Sequence, residues 1–347
     1  MNPIVSLVLR LFSPFLFLFL YPLRLRLALP CILVSARLAF GFASPYTARM
    51  LIGLLLIAIA AASWGTTGAT MTLLSREATV SPLLVGWSRL AIAAPLLVLA
   101  AAGVGRFGAR HPQRSPWPSL ADLPLCAALG LAMAAYQVCY FRAVTLVGVA
   151  PAALLAICSA PLLIAVLAAL FLGERLTPLV RLSLGMAVVG TALLVVGPRG
   201  FGEIAGHFGV GALLALGAGV SYAAYAVAAK GLLARVTPLA VAAITFALAA
   251  LFLAPALLGE TSPTRALAAG WPLLLYLGIG PTAVAYVMFT AGLGRVPATA
   301  AGIVSLLEPL TATTLGLLVF GERLGPIGIA GAALLLAALA LLTTARR

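Results

Sequence analysis

The stretch "ALFLGERLTP" (Ala169–Pro178) returns almost unchanged as "LLVFGERLGP" (Leu317–Pro326), each time at the end of a long apolar run. Charge is scarce here, at 8% of residues, so a charged box written twice marks a repeated structural position. Its chemistry suits a sharp join between two helices. Gly173 and Gly321 can end a helix with a left-handed residue. Pro178 and Pro326 suit the first turn of the next helix, where no backbone N–H is needed. Glu174 and Glu322 are then expected near the positive N-terminal end of that next helix. The box reads as a hairpin turn at a membrane rim rather than as a direct substrate site.

The 347 residues are 64% hydrophobic, with a mean hydropathy of +1.20. A soluble domain carries about 25% charged residues, so the solvent for this surface must be lipid. The net charge of +14 comes from 21 Lys and Arg against 7 acids. These cations are spread thinly among apolar runs, which reads as loop charge that sets membrane orientation and excludes a nucleic-acid partner. Cys31, Cys126, Cys139 and Cys158 lie in apolar stretches without CxxC spacing and read as small buried thiols. His111 and His207 fall in expected loops, which excludes a buried histidine cluster for metal or haem. "GVGRFG" at 103–108 matches G-x-G-x-x-G, but it is expected in a loop between spans with no preceding strand, so the dinucleotide reading fails. There is no P-loop motif, and no cofactor is expected.

Ten apolar segments follow Met50, at about 51–71, 82–102, 121–144, 149–172, 178–197, 208–229, 237–258, 270–292, 298–320 and 325–343. Each approaches the roughly 20 residues that cross a bilayer. Placing residue 49 in the cytoplasm puts most span-flanking cations inside, including Arg49, Arg106, Arg110, Arg114, Lys230, Arg235, Arg295 and Arg347. Arg76, Arg142, Arg199, Arg265 and Arg323 fall outside. Both ends of the ten-helix unit are then cytoplasmic, in a multi-pass protein of the cytoplasmic (plasma) membrane.

The boxes anchor a longer internal match. At an offset of 148, Phe141 meets Phe289 and Pro161 meets Pro309. At an offset of 158, "SWGTTGA" (63–69) lies over "SYAAYAV" (221–227), which a longer loop between the second and third spans explains. The expected fold is therefore an all-α membrane protein, its ten transmembrane helices arranged as two five-helix repeats. An odd number of spans per repeat inverts the second against the first. The expected units are 50–200 and 207–345, preceded by an extension at 1–49. Arg10, Pro14, Pro22, Arg24, Arg26 and Pro30 break that extension. It reads as sequence outside the true protein, with Met50 as the start, as an interfacial segment, or as a further span or signal.

"YFRAVTLVGVAPAALLAICSAPLLIAVLAALFLGERLTP" and "TAGLGRVPATAAGIVSLLEPLTATTLGLLVFGERLGP" resemble the two EamA domains of the drug/metabolite transporter superfamily. "SWGTTGA" and "VGWSRLAIAAPLL" resemble the first two helices of the same domain. The resemblance covers about 50–343. It implies a ten-helix bundle that moves small metabolites, often amino acids or related compounds, outward by alternating access.

Two charges stand well inside spans, Arg89 and Glu308, and such groups should face the bundle or a cavity. Pro309 removes a backbone donor beside Glu308 and frees nearby carbonyls. Ser305, Glu308 and Ala312 share one helical face, with Thr311 at its edge. The first-half equivalent of Glu308 is Ala160. Glu308 reads either as a contact for a cation or coupling proton or as a helix-bonding carboxyl. Arg89 reads either as a ligand for a substrate carboxylate or a partner of Glu308, or as a side chain snorkelling to the interface. Ser63, Trp64 and Thr67 share a face of the first span, and Ser221, Tyr222 and Tyr225 the matching face of the sixth. Gly211, Ala215, Gly219 and Ala223 form a close-packing seam beside the latter. The candidate substrate-binding set is Trp64, Thr67, Arg89, Tyr136, Gln137, Tyr140, Ser159, Tyr222, Tyr225, Tyr286, Ser305 and Glu308. The expected function is secondary transport of a small-molecule substrate, possible coupling by protons included. The alternative is an integral-membrane enzyme acting on lipid or isoprenoid, which would need clustered acids or histidines. No sequence feature specifies the oligomeric state.

Overall fold

A computed structural model describes residues 45–77, 80–107, 115–147, 149–196, 208–259, 263–321 and 325–344. Residues 1–44, with Cys31, lie outside this description, as do Arg110, His111, His207, Glu322 of the second box and Arg347. The named elements are helical: α1 (Pro45–Glu77), α2 (Pro82–Phe107), α3 (Leu123–Val147), α4 (Val149–Leu172), α5 (Pro178–Val196), α6 (Phe208–Leu232), α7 (Pro238–Leu253), α8 (Pro263–Leu277), α9 (Ala285–Leu293), α10 (Ala298–Ser305), α11 (Leu307–Phe320) and α12 (Pro326–Thr344). α1 begins before Met50. α2 runs through Gly103–Phe107, so most of the "GVGRFG" stretch is helix end rather than loop. A π-helical turn (Gly278–Val284) joins α8 to α9, making one continuous apolar rod from Leu267 to Leu293.

Among the described residues, seven helical stretches are long and apolar enough to cross a membrane: those of α1, α2, α3, α4 and α6, the rod Leu267–Leu293, and Ala298–Val319 across α10 and α11. Segments Pro178–Leu194, Pro238–Leu253 and Pro326–Leu342 are shorter apolar helices. They fall where the fifth, seventh and tenth spans were expected. The chain is a multi-pass, all-α membrane protein.

The GER box behaves as its local chemistry dictates. Gly173 and Gly321 adopt φ of 65° and 66°, and the Glu174 N–H reaches back to the Ala168 carbonyl at 3.1 Å. Pro178 and Pro326 open α5 and α12. Glu174, however, does not serve the helix that follows it. Its carboxylate accepts hydrogen bonds from the Ala298 N–H (2.6 Å), the Thr299 N–H (3.1 Å) and the Thr299 hydroxyl (2.9 Å). It thus caps α10, 124 residues away. The physical reason is the same as that expected for α5, since free N–H groups and a positive dipole end attract an anion. The turn simply presents the side chain to a different helix.

The same end of the bundle is tied at the neighbouring turn. Lys230 Nζ donates to the Leu293 and Val296 carbonyls, each at 2.6 Å, so a cation meets the C-terminal end of α9. Arg235 pairs with Asp122 at 2.6 Å, and Ser115 forms a short bridge with Val236.

Helix contacts recur at matched positions. α5 packs along α12. Ser183 Oγ donates to the Ala338 carbonyl at 2.8 Å, and Gly190 lies so close to Gly331 that a Cβ would stand 2.9 Å from its carbonyl. Ser183 and Gly331 are equivalent at the offset of 148, as are Gly190 and Ala338. The contacts are therefore reciprocal, and the two helices run antiparallel. Gly53 and Gly211, equivalent at 158, behave alike. A Cβ on Gly53 would meet Arg295 and Val296, and one on Gly211 would meet Val147, the equivalent of Arg295.

Candidate functional site

Pro309 cannot donate to the carbonyl four residues earlier, that of Ser305. The rod breaks there. α10 stops at Ser305, Leu306 turns with its N–H on the Ile303 carbonyl at 3.2 Å, and α11 restarts at Leu307. Glu308 thereby enters the first turn of α11, where the dipole favours an anion. Pro161, the matched proline, lies within α4 without ending it. The break also changes the expected face. Ser305 and Glu308 stay together, but Thr311 bonds back to the Leu307 carbonyl at 3.0 Å, and Thr311 and Ala312 pack on Gly65 of α1.

Around this break lies a cavity of about 40 Å³, walled by Tyr136 of α3, by Ala156, Ile157, Ala160, Pro161 and Ile164 of α4, by Tyr222 of α6 and by Gly302, Ser305, Leu306 and Glu308. That volume holds one or two waters, so the site is nearly closed in this conformation. Four expected site residues line it: Tyr136, Tyr222, Ser305 and Glu308. An aromatic cluster extends it. Tyr136 stacks on Tyr140 with ring centroids 5.8 Å apart and meets Tyr222 at 6.0 Å. Trp64 contacts Tyr286 at 4.8 Å and Tyr222 at 6.2 Å. Tyr225 contacts Tyr222 at 6.1 Å and Tyr286 at 5.9 Å. Trp64 and Tyr222, matched positions of the internal repeat, meet edge to face.

This cluster carries unsatisfied polar atoms. Ser63 Oγ, Trp64 Nε1, Tyr222 OH and Tyr225 OH are buried and have no hydrogen-bond partner among the described residues. Buried polar groups normally find partners, so four together in one cluster are an exception. Ser305, which shares the cavity wall with Tyr222, donates its own Oγ to the Ala301 carbonyl at 2.9 Å.

Arg89 does not snorkel. It is only 9% exposed, and its Nε donates to Thr282 Oγ1 at 2.8 Å. Thr282 Oγ1 in turn donates to the Leu277 carbonyl at 2.7 Å, five residues back at the start of the π turn. Arg89 forms no ion pair with Glu308; its partner is Thr282. Arg89 of α2 and Glu308 of α11 are thus two ionisable groups within the bundle that are not paired with each other.

Besides Arg89, three expected residues belong neither to the cavity wall nor to the aromatic cluster. Ser159 packs on Gly219 in the seam between α4 and α6, its hydroxyl on the Ala156 carbonyl at 3.3 Å. Gln137 is buried against Gly86 of α2. Thr67 is half-buried, while its neighbour Thr66 bonds the Tyr276 hydroxyl at 2.8 Å. Sequence reasoning missed Thr282 and the apolar wall of α4. A search for polar side chains passes over Ile157 and Ile164, and Pro281 was the signal available for the π turn.

The family model for EamA-like transporters matches residues 51–196 and again 209–344. The "Uncharacterized transporter YwfM" of Bacillus subtilis is 34% identical over 84% of this chain and 94% of its own. The "Probable terminal-alkyne amino-acid exporter" of Streptantibioticus cattleyicolor is 32% identical over 71% of this chain and 79% of its own. The "Aromatic amino acid exporter YddG" of Ancylobacter novellus is 31% identical over 62% and 72%. A solved crystal structure superposes with a TM-score of 0.67 at 25% identity, covering 86% of this chain and 96% of that one. With the family's pattern matched in both halves of the chain, this membrane protein belongs to the EamA-like transporter family.

Proposed function

We propose that the protein is a secondary transporter that exports small amino-acid-like metabolites across the plasma membrane by alternating access, through the Glu308 cavity. The observation that carries this reading is Glu308 in the wall of an aromatic-lined cavity, with a second buried ionisable group, Arg89, that is not paired with it. A zwitterion would offer its carboxylate to Arg89 and its ammonium to Glu308, with its apolar body against Tyr136, Tyr222 and Trp64. Trp64 Nε1 and Tyr225 OH would find acceptors on it. The amino-acid exporters among its relatives support the substrate class. The cavity is too small for such a solute as it stands, which fits a site that opens to each side in turn.

The topology belongs to the same proposal: ten spans in two inverted halves, 50–200 and 207–345, with both ends of the unit cytoplasmic. The reciprocal antiparallel contacts of α5 with α12, and the matched Gly53 and Gly211 contacts, support a pseudo-two-fold axis in the membrane plane. Cysteines at Arg110 and Arg265 should label from opposite sides, and labelling from the same side would overturn the topology.

The functional test is counterflow of aromatic and alkyl amino acids in sealed proteoliposomes, with and without a proton gradient. Exchange is expected with the wild type, and Glu308→Gln should abolish its gradient dependence. If Glu308→Gln inserts normally and transports at an unchanged rate with unchanged gradient dependence, Glu308 is structural and the coupling reading is wrong.

A further inference from the structure

A second and larger cavity, about 300 Å³, lies on the outside of the bundle between α2 and α8. Trp87, Ala91, Ile92, Leu267, Trp271 and Leu275 line it. Its one polar side chain, Ser88, turns its hydroxyl onto the Leu84 carbonyl at 2.6 Å and presents no free donor. Both walls lie within apolar segments long enough to cross a membrane, Pro82–Gly103 and Leu267–Leu293. The crevice is continuous with the lipid-facing surface, since Trp271 is 61% and Leu275 38% exposed. Its floor is fixed, because Trp87 Nε1 donates to the Ala250 carbonyl at 3.2 Å and cannot swing in to fill the space.

A void of this size has to be occupied. Water would find no hydrogen-bond partners there, and empty space forfeits dispersion contacts on every wall. At this depth a bilayer supplies one abundant, flexible apolar body. We propose that the crevice is a binding site for one acyl chain of a bilayer phospholipid. The site would have a structural consequence. Ile92 packs directly on Gly278, the first residue of the π turn, where a Cβ would stand 2.5 Å from Ile92 Cγ2. A chain held in the crevice buttresses Ile92 from outside and so supports the turn that presents Thr282 to Arg89. This inference holds whether or not the Glu308 cavity carries solute.

The test uses tryptophan fluorescence in vesicles of phosphatidylcholine brominated on its acyl chains. Three variants each keep one tryptophan, Trp87, Trp271 or Trp64, the others replaced by Phe. The Trp87 variant should be quenched to about half its intensity in unbrominated vesicles, as befits a ring touching hydrocarbon. Trp64, buried in the bundle, should be nearly unaffected and sets the baseline. Adding Ala91→Phe, which fills the crevice, should return Trp87 to that baseline while Trp271, at the exposed rim, stays quenched. Continued quenching of Trp271 shows that the filled variant is still inserted, and Ala91→Leu gives a milder filling if it is not. Trp87 quenched no more than Trp64, or quenched equally with and without the filled crevice, would overturn the proposal.

Discussion

Replacing Glu174 by Ala removes a carboxylate that caps a helix in the opposite half of the chain. Three donors lose their acceptor: the Ala298 N–H, the Thr299 N–H and the Thr299 hydroxyl. Hydrogen bonds to a charged group are worth about 1.5–3 kcal/mol each, and loss of a helix cap costs about 0.5–2 kcal/mol. The three bonds share one carboxylate, and Glu174 is half-buried at a rim where water can replace part of what is lost. The sum is therefore far from additive, and about 2 kcal/mol is expected for Glu174→Ala. Glu174→Gln keeps one acceptor oxygen and should lose about half as much. A change of 2 kcal/mol is roughly a thirtyfold shift in the unfolding equilibrium. Equilibrium unfolding by SDS in mixed micelles, followed by tryptophan fluorescence, resolves that shift. Arg175→Ala is the control, since Arg175 is exposed in the same box. If Glu174→Ala unfolds within about 0.5 kcal/mol of the wild type, a surface-substitution effect, or no differently from Arg175→Ala, the cap contributes nothing and the argument fails.

Thr282→Val keeps the shape of the π turn but strips Arg89 of its hydrogen bond, which should cost about 2 kcal/mol in the same unfolding assay, whereas Thr282→Ser should restore most of it. Gly331→Val should cost more than 2 kcal/mol, because its side chain would strike the Leu194 amide and the Gly190 carbonyl, which cannot move aside; the neighbouring Ile329, exposed to lipid, should tolerate Val. Trp64→Phe removes an unpartnered buried N–H and should leave stability unchanged or slightly raised, while weakening solute binding measured by isothermal titration in detergent.

What could be read from sequence was local. Gly173, Gly321, Pro178 and Pro326 announce their roles because a helix end is built from adjacent residues. The break at Leu306 was half-visible, since Pro309 frees the Ser305 carbonyl but does not say which way the next turn will point. Its consequence for Thr311 and Ala312 followed only from the three-dimensional path. Glu174 shows the limit more sharply. The rule that an anion seeks a helix N-terminus held, but many helices offer one, and the winner lay far along the chain. Arg89 and Thr282 present the same difficulty. Intramembrane charge left Arg89 between the interior and the interface, and its partner is a threonine among many, made special by a π turn. Ser159 and Gln137 were drawn into the candidate set by polarity and depth, two properties that a helix seam shares with a solute cavity.

The pairing of α5 with α12 bears on the membrane around the protein. The helices as described are 19 residues each, which at 1.5 Å per residue is about 28 Å. The hydrocarbon of an average bilayer is about 30 Å thick. Because these two helices pack against each other, the shortfall is concentrated on one flank, where Leu182, Val189, Ile327, Ile329 and Leu336 face outward. Under the ten-span topology the protein wears a belt of uneven height, tall around α1 and α3 and low around α5 and α12. Lipids beside the low flank must compress or tilt to meet it. That deformation is relieved when two low flanks share one patch of thinned bilayer. The membrane itself would then draw copies of the protein together along the α5–α12 edge, without any complementary surface between them.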